Sequence, residues 1–423
     1  MTLTAMPKYE TYKDSGVEWI GDIPTEWDVL PIKRVLKLIS EKVSSSKSDL
    51  QYIGLENIES WSGKIIDVAQ DVEGLANEFF PQDILFGKLR PYLAKVALAV
   101  THGICSTELL VYRSIIGQPA YFKYLLSSQQ FIELVNSSTY GSKMPRASAD
   151  FIGVQRIPIP AKVERTSISD FLDKKIAKID EAIAIKEKQI ALLNEHKQIQ
   201  VQQAVTRGLD PTVPMKNSGV AWIGKIPEHW QVKRLKFVLD ERSERSLTGE
   251  EPLFMVSQQY GLVVRADYHE KAVVAASNID SKIVYKNDLV FNKLKAHLGV
   301  FFKSNIDFKG IVSPDYAVYK IKDYISDTKI LELLFRNPLY IEQFTIRATG
   351  IVEGLIRLYT SDLFDISIPI APKEEQLEIL SHIEKMSALF DKAIEIHRDQ
   401  CEKLKEYKTT LINSAVTGKI KVV

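Results

Sequence analysis

A glycine and lysine pattern at Gly219 to Lys225 could hold a phosphate, because glycine-rich loops of this kind surround phosphate oxygens with backbone amides. The pattern is incomplete, since Ile226 follows where a magnesium-binding serine or threonine is needed. A related stretch earlier in the chain has Asp22 in place of Lys225. The residues therefore indicate a turn between two packed tryptophans and not a nucleotide site.

Other patterns that could support catalysis are also incomplete. Ser313-Pro-Asp-Tyr316 is similar to the Asn-Pro-Pro-Tyr loop with which amino-methyltransferases hold a base, but it lacks the second proline. No glycine-rich strand and turn for S-adenosylmethionine precedes it. The seven histidines are scattered without the paired spacings of metal ligands. We expect no catalytic residue and no metal site in this chain.

The strongest feature of the sequence is an internal duplication. Lys13 to Leu36 and Lys216 to Leu239 match at 14 of 24 positions, at an offset of 203 residues, and contain four of the five tryptophans. The match continues downstream, where Asp83 to Arg90 is repeated as Asp288 to Lys295. A repeat of this length indicates two copies of a whole domain.

Each copy changes character once along its length. Its first part mixes short β-rich runs with turns and with helical stretches such as Pro119 to Asn136 and Thr328 to Thr345, which is typical of an α+β domain. Its second part lacks internal proline and glycine and predicts one long helix, Glu164 to Arg207 or Lys373 to Thr417. The predicted domains are residues 11–163, 164–210, 211–372 and 373–423.

Both predicted helices carry apolar residues at alternating spacings of three and four, in the same register. Such a seam needs a partner helix, and the other copy is the partner of matching length, about 60 Å for about 40 residues. A helix packed only on its own domain is the alternative. The predicted seam comprises Leu172, Ile176, Ile179, Ile183, Ile190, Leu193, Ile383, Phe390, Ile394, Leu404 and Leu411.

Two related halves that pair through a local two-fold place their helices antiparallel. The predicted fold is therefore α+β, with two tandem homologous α/β globular domains, each followed by a long helix, and the two helices forming an antiparallel coiled coil with pseudo-two-fold symmetry. Repeat order also predicts that Thr417 to Val423 approaches the N-terminal segment in space.

Composition limits the classes of function. The net charge is +1, so a polyanionic partner would need basic groups concentrated on one face. Two cysteines, Cys105 and Cys401, at non-equivalent places argue against a disulfide framework. No signal peptide and no run of 18 apolar residues is present, so the expected location is cytoplasmic, with no membrane partner.

The duplicated motifs resemble the specificity subunit of type I restriction-modification enzymes along essentially the whole chain. The residues that carry the resemblance are SGVEWIGDIPTEW, RGLDPTVPMKNSGVAWIG across Arg207 to Gly224, DILFGKLRPYLAK, and IPIAPKEEQ at Ile368 to Gln376. The first copy departs from the pattern at Lys162 to Arg165, where the family usually has a Pro-rich Glu-Gln turn.

The resemblance implies a non-catalytic DNA reader whose two target-recognition domains each read half of a bipartite, asymmetric sequence in double-stranded DNA. It implies docking of two methyltransferase subunits, which bind S-adenosylmethionine and methylate adenine N6. Restriction subunits, which would use ATP and magnesium, join through that complex. This chain itself is expected to bind no cofactor.

Basic and aromatic residues next to turns are the candidates for contact with DNA. Because motifs shared by both copies cannot specify different half-sites, these residues suit positioning on the DNA backbone better than base reading. Base contacts are expected in the divergent stretches Ser44 to Gly63 and Ser243 to Tyr268. The candidates are Lys88, Arg90, Tyr92, Lys95, Lys143, Arg146, Arg265, Lys293, Lys295, His297, Arg347 and Arg357.

Two alternatives remain open at the level of sequence. One is a self-contained restriction or methylation enzyme with unrecognised catalytic residues. The other is a scaffold that binds two proteins and leaves DNA untouched.

Overall fold

A computed structural model describes residues 6–45, 50–66, 74–141, 143–257, 260–268, 278–350 and 357–422, with the backbone alone at 296 and 297. The chain divides into two compact units. Unit 1 comprises Met1–Lys188 together with His397–Val423, and unit 2 comprises Gln189–Ile396. The division falls within both long helices.

Unit 1 is built around two four-stranded sheets, in the orders β4-β11-β8-β9 and β5-β7-β10-β6, with smaller pairs β1-β2 and β12-β3. All pairs are antiparallel except β10 with β6. The strands are β1 (Tyr12–Asp14), β2 (Asp22–Pro24), β3 (Asp28–Pro31), β4 (Leu36–Ile39), β5 (Lys42–Ser44), β6 (Tyr52–Ile53), β7 (Leu75–Phe79), β8 (Ile84–Gly87), β9 (Val96–Leu98), β10 (Gly103–Ser106), β11 (Leu109–Ser114) and β12 (Arg156–Ile159).

The sheet that contains β8 is buried on both faces. Ile84 and Phe86 point into a core shared with helices, whereas Leu85 points into a second core shared with the other sheet. This alternation follows from the two-residue period of a strand. The helices on the first face are α1 (Pro119–Leu126), α2 (Gln129–Ser137) and α3 (Ala149–Val154).

The helical stretch predicted for Pro119 to Asn136 is confirmed, but the structure divides it into two helices, α1 and α2. The Ser127 hydroxyl donates to Tyr124 O at 3.1 Å, and the Ser128 hydroxyl donates to Leu125 O at 2.7 Å. These bonds satisfy the last carbonyls of α1, as serine often does at helix ends. An apolar pattern on both sides conceals such a break.

Unit 2 repeats this plan with a central sheet β16-β23-β20-β21 and antiparallel pairs β13-β14, β15-β24, β17-β18 and β19-β22. Leu289 and Phe291 face one core and Val290 faces another. The strands are β13 (Met215–Asn217), β14 (Lys225–Pro227), β15 (Gln231–Arg234), β16 (Leu239–Glu241), β17 (Phe254–Ser257), β18 (Gly261–Val264), β19 (Lys282–Val284), β20 (Leu289–Asn292), β21 (Phe301–Lys303), β22 (Gly310–Val312), β23 (Tyr316–Ile321) and β24 (Ser367–Ile370).

The stretch Thr328 to Thr345 is likewise two helices and not one. They are α5 (Lys329–Phe335) and α6 (Pro338–Arg347), followed by α7 (Thr360–Phe364). The Asn337 side chain caps α6 by accepting from Leu339 N at 3.0 Å. Pro338 occupies the first position of α6, where its missing N–H costs nothing.

The two long helices are α4 (Lys162–Arg207) and α8 (Lys373–Val416), and both were predicted to within two residues. In unit 1 the two helices run antiparallel. Asp180 on α4 binds Lys408 on α8 at 2.7 Å, whereas Glu187, further along α4, lies near Lys405, which comes earlier on α8. The carboxylates of Glu402 and Glu187 raise the pKa of Lys405. Seam residues of unit 1 that are buried or half-buried here are Leu172, Ile176, Ile179, Ile183, Leu404 and Leu411.

In unit 2 the segments of α4 and α8 also run antiparallel. Lys197 binds Asp391 at 2.7 Å, whereas Ala204, further along α4, lines a cavity with His382. The two ion pairs are repeat equivalents, since Asp180 matches Asp391 and Lys197 matches Lys408 at an offset of 211. Seam residues that are buried or half-buried in unit 2 are Ile190, Leu193, Ile383, Phe390 and Ile394.

Both long helices begin in the same way. The indole N–H of Trp27 donates to Glu164, and that of Trp230 donates to Glu375, each at 3.0 Å. Trp27 and Trp230 are each 1% exposed, so burial of two large rings fixes where each helix starts.

Arg165 takes the place of Gln376 in the first copy. Arg165 donates to Pro160 O and to Ile116 O, at 2.7 and 2.9 Å. Gln376 donates to Ala371 O and Tyr324 O, at 2.8 and 2.9 Å. The departure from the family pattern therefore preserves the bonding at the helix start.

The end of the chain returns to the N-terminal segment, as the repeat order predicted. Lys421 N donates to Pro7 O at 2.7 Å, and the Lys419 ammonium donates to Asp22 O at 2.6 Å. Ile420 is buried in the same core as Trp27. Residues 397–422 are thus structural parts of unit 1.

Candidate nucleic-acid interface

A basic turn follows β8 in unit 1. Lys88 N donates to Glu108 O at 3.0 Å, and Arg90 adopts a left-handed conformation with φ of 51°. A 3-10 turn, Pro91–Leu93, then exposes 46% of Tyr92. Because the turn is fixed by backbone bonds at both ends, its side chains are presented from a rigid support.

A second loop lies directly against this turn. Arg90 N donates to Pro145 O at 2.8 Å, and Ala147 N donates to Lys88 O at 2.9 Å. The structure therefore brings together four predicted residues from stretches more than 50 positions apart: Lys88, Arg90, Lys143 and Arg146.

Unit 2 assembles the equivalent residues in the same way. Leu358 N donates to Lys293 O at 3.1 Å, which places Arg357 next to the turn after β20. Lys295 is exposed on that turn, and the side chain of His297 lies outside the described residues. Arg265 lies elsewhere, in the 3-10 turn Arg265–Asp267 that follows β18.

Several predicted cations already bind protein groups. The Lys95 ammonium donates to Leu55 O at 2.6 Å, and Lys293 lies 3.7 Å from the Glu241 carboxylate. Arg347 donates to the Gln343 side chain at 2.6 Å. These three cationic groups stabilise the local structure, so they are less available to a phosphate.

The two arginines that close the loops are also paired. Arg146 lies 3.0 Å from the Glu108 carboxylate, which raises the pKa of Arg146, and Arg357 lies 2.9 Å from the Asp315 carboxylate. The other predicted cationic side chains form no ion pair and no side-chain hydrogen bond with the described residues. They are Lys88, Arg90, Lys143, Arg265 and Lys295.

Exposed aromatic and apolar residues beside these loops were missed in the sequence analysis. Tyr140 is 64% exposed and Met144 is 50% exposed. Within the divergent stretches, Trp61 is 45% exposed, and Tyr260 and Tyr268 pack ring to ring at 4.9 Å. The available signal was a large apolar residue inside an otherwise polar turn.

No group of three or more histidine, cysteine, aspartate or glutamate residues in the described ranges is arranged to hold a metal ion. Among the same residues, no helix combines the length and apolar character needed to cross a membrane.

The duplicated fold is that of specificity subunits from type I restriction-modification systems. The HsdS subunit from Thermoanaerobacter tengcongensis superposes with a TM-score of 0.54 at 17% identity, over 94% of this chain and 98% of that chain. A chain from a structure concerned with complex assembly and conformational transition of the type I R-M system gives 0.69 at 17% identity, over 93% and 98%.

Curated relatives carry the same description. The type I restriction enzyme MjaVIII specificity subunit of Methanocaldococcus jannaschii is 24% identical, over 95% of this chain and 94% of its own length. The putative MjaX specificity subunit of that organism is 25% identical over 98% of each chain. The EcoDI specificity subunit of Escherichia coli is 23% identical over 54% of this chain and 48% of its own.

No protein-family model matches the chain. The similarity to named specificity subunits over nearly the full length, with the matching fold, confirms the resemblance identified from the duplicated motifs.

Proposed function

We propose that this chain is the DNA-recognition subunit of a type I restriction-modification enzyme, in which each unit reads one half of a bipartite asymmetric site. The observation that carries the proposal is that both units hold an equivalent turn and loop in place, while the sequences around them differ. Both units place a basic turn against an arginine-closed loop by the same backbone bonds, whereas the stretches that surround it differ in sequence. A reader of two unlike half-sites needs this combination.

In this proposal the phosphate contacts are made by cationic side chains that have no partner among the described residues. Arg90 in unit 1 and Lys295 in unit 2 are exposed, and phosphate contacts position a protein on duplex DNA without reading sequence. Removing one such contact reduces the slope of log affinity against log salt by about 1. Arg146→Lys, at a cation that already pairs with Glu108, should leave that slope unchanged.

Partner docking is supported by an exposed apolar strip on the helices of unit 2. Leu192 and Ile199 on α4 are 52% and 42% exposed, and Leu389 and Ile396 on α8 are 71% and 48% exposed. The register set by Lys197 and Asp391 puts Ile199 level with Leu389.

Apolar side chains spaced by seven on a helix pair suit packing of further helices. We assign this surface to methyltransferase subunits, which supply the S-adenosylmethionine chemistry that this chain is proposed to lack. Leu192→Lys together with Leu389→Lys should abolish copurification with those subunits, whereas the exposed Glu384→Lys should not.

The proposal is tested by reconstitution with methyltransferase subunits and S-adenosylmethionine, followed by sequencing of methylated adenines in a random DNA library. A single bipartite motif methylated only when this chain is present supports the proposal. Methylation by the chain alone would indicate a self-contained enzyme. Absence of salt-dependent DNA retention by the complex would indicate a protein scaffold.

A further inference from the structure

Tyr140, Gly141 and residues 143–146 form a loop, here called the clamp loop, that is closed by its own backbone. Arg146 N donates to Tyr140 O at 3.1 Å, and Tyr140 N donates to Arg146 O at 3.3 Å. Gly141 has φ of 91°, and a Cβ there would lie 3.3 Å from Met144 O. The glycine therefore permits the narrow turn. Together with the Arg90 bond to Pro145, these contacts hold the clamp loop in one position.

Unit 2 has the same closure at Thr349 and Arg357. Thr349 N donates to Arg357 O at 3.0 Å, and Arg357 N donates to Thr349 O at 2.8 Å. In both units an acidic residue in the turn before a strand of the central sheet, Glu108 before β11 or Asp315 before β23, binds the closing arginine. The supports of the two loops are thus equivalent in bonding and in chemistry.

The sequences enclosed by these supports are unlike each other. Five residues separate Tyr140 from Arg146, and seven separate Thr349 from Arg357. The first segment contains Lys143 and Met144, whereas the second contains no lysine and no methionine. Two loops that are closed by equivalent bonds but enclose different sequences are expected of elements that discriminate between two different half-sites.

Three side chains of the clamp loop are available to a ligand. Tyr140 is 64% exposed, Met144 is 50% exposed, and Lys143 is exposed with no partner among the described residues. An ammonium can donate to guanine O6 and N7 in the major groove, and an apolar side chain can contact the thymine methyl group. Exposed apolar residues next to a free cation suit base edges better than phosphate alone.

We propose that Tyr140, Lys143 and Met144 are specificity-determining residues of unit 1 that contact base edges of duplex DNA. This inference rests on the proposed function and goes beyond it, because it assigns base reading to a loop outside the divergent stretches. Arg146 is a positioning residue that acts through the clamp loop.

The test uses the full chain reconstituted with methyltransferase subunits, and methylation of a DNA library randomised at both half-sites. Lys143→Ala and Met144→Ala should each reduce discrimination at one or two base positions of a single half-site by about tenfold, a typical effect of losing one good base contact. The other half-site should be unchanged. Lys174→Ala, an exposed lysine on α4, is the matched control and should change neither half-site.

Glu108→Ala provides a second measurement, because it removes the ion pair with Arg146 that holds the clamp loop and leaves the proposed base contacts in place. Glu108→Ala should reduce discrimination at the same base positions as Lys143→Ala. Since Lys143 and Met144 are exposed, their variants should assemble like the wild type, which is checked by the size of the complex.

Two outcomes overturn the proposal. An unchanged motif in Lys143→Ala, Met144→Ala and Glu108→Ala removes the clamp loop from recognition. A uniform loss across all sequences, with a smaller salt slope, makes Lys143 a phosphate contact only. Failure of the proposed function is a separate result, since the wild-type complex would then methylate no bipartite motif.

Discussion

Unit 1 and unit 2 agree closely on the side of the central sheet that carries the helices, and on the opposite side they differ in the length of the paired strands. Trp27 with Glu164 and Trp230 with Glu375 make the same bond at the start of each long helix. Opposite the helices, unit 1 has a four-stranded sheet, whereas unit 2 has the pairs β17-β18 and β19-β22, joined by single bridges from Arg245 to Lys282 and from Leu253 to Ile311 that repeat the β5-β7 and β6-β10 pairings. Both copies share the structural support, and the opposite face keeps the same pairing order while its strands differ in length.

One buried position shows how far equivalent sites can diverge. Lys123 and Glu332 each lie five residues before the cap of the next helix, Ser128 or Asn337. Lys123 donates to Ser62 O at 3.3 Å and packs over the Tyr124 ring. Glu332 instead accepts from three groups: the backbone N–H of Lys303 and the side chains of Lys329 and Arg336. Opposite charges are accommodated by different local partners.

The largest effect is expected from truncating the central core of either unit. Phe86→Ala and Phe291→Ala should each cost about 3–5 kcal/mol in the free energy of unfolding, because both rings are fully buried. Hydrogen exchange measured by mass spectrometry should show loss of protection in the strands of the altered unit. Equal loss in both units would mean that they unfold together and that the comparison by unit does not hold.

The next effect is a dependence of the free energy of unfolding on pH that arises from Lys123. Burial lowers the pKa of Lys123 to about 8 from its usual 10.5, and the nearby Lys408 charge adds to this. The unfolded chain therefore holds a proton that the folded chain has lost between these values, so stability rises with pH across that window.

The rise is at most about 1.4 kcal/mol per pH unit, or about 3 kcal/mol in total. Denaturant unfolding from pH 7.5 to 10.5 should show it, and Lys123→Met should lack it. Lys174→Met is the matched control. If Lys123→Met and the wild type change in parallel with pH, Lys123 remains charged in the folded state.

A smaller effect tests whether Arg165 replaces Gln376. Arg165→Ala leaves the carbonyls of Pro160 and Ile116 without their donor and should cost about 1–3 kcal/mol. Arg165→Gln should recover part of this loss, since glutamine makes the corresponding bonds in unit 2. Thermal unfolding of the three proteins measures the difference, and no recovery by glutamine would contradict the equivalence.

The smallest effect concerns the symmetric ion pairs between α4 and α8. Asp180→Asn and Asp391→Asn should each cost less than about 1 kcal/mol, because these carboxylates are largely exposed. The two losses should be similar and should decrease in high salt. A markedly larger loss for one variant would show that the pairs contribute unequally in the two units.

The regular features of the fold were predictable from sequence. The repeat at Trp19 and Trp222, the long helices and the seam through Leu172 and Ile383 all follow from identity or periodicity within short stretches. The break at Ser127 and Ser128 was not predictable, because it lies between two apolar helical patterns.

The candidate site was only partly predictable. Lys88 and Arg146 were both chosen for their chemistry, but the bond from Arg146 to Glu108 joins residues 38 positions apart. Nothing in the local sequence distinguishes that paired arginine from the unpaired Arg90. The exposed Met144 was missed because an apolar residue within a polar turn gives no periodic signal.

The interleaving of unit 1 with the far end of the chain has a consequence for biosynthesis. When a ribosome has produced the first 396 residues, all of unit 2 has been made, whereas unit 1 still lacks α8 from His397 onward and the segment that binds Pro7. The half encoded earlier is therefore the one whose core waits for the far end of α8. Its core surface stays open while all of unit 2 is synthesised, and that interval is when a nascent chain of this design most needs chaperone protection.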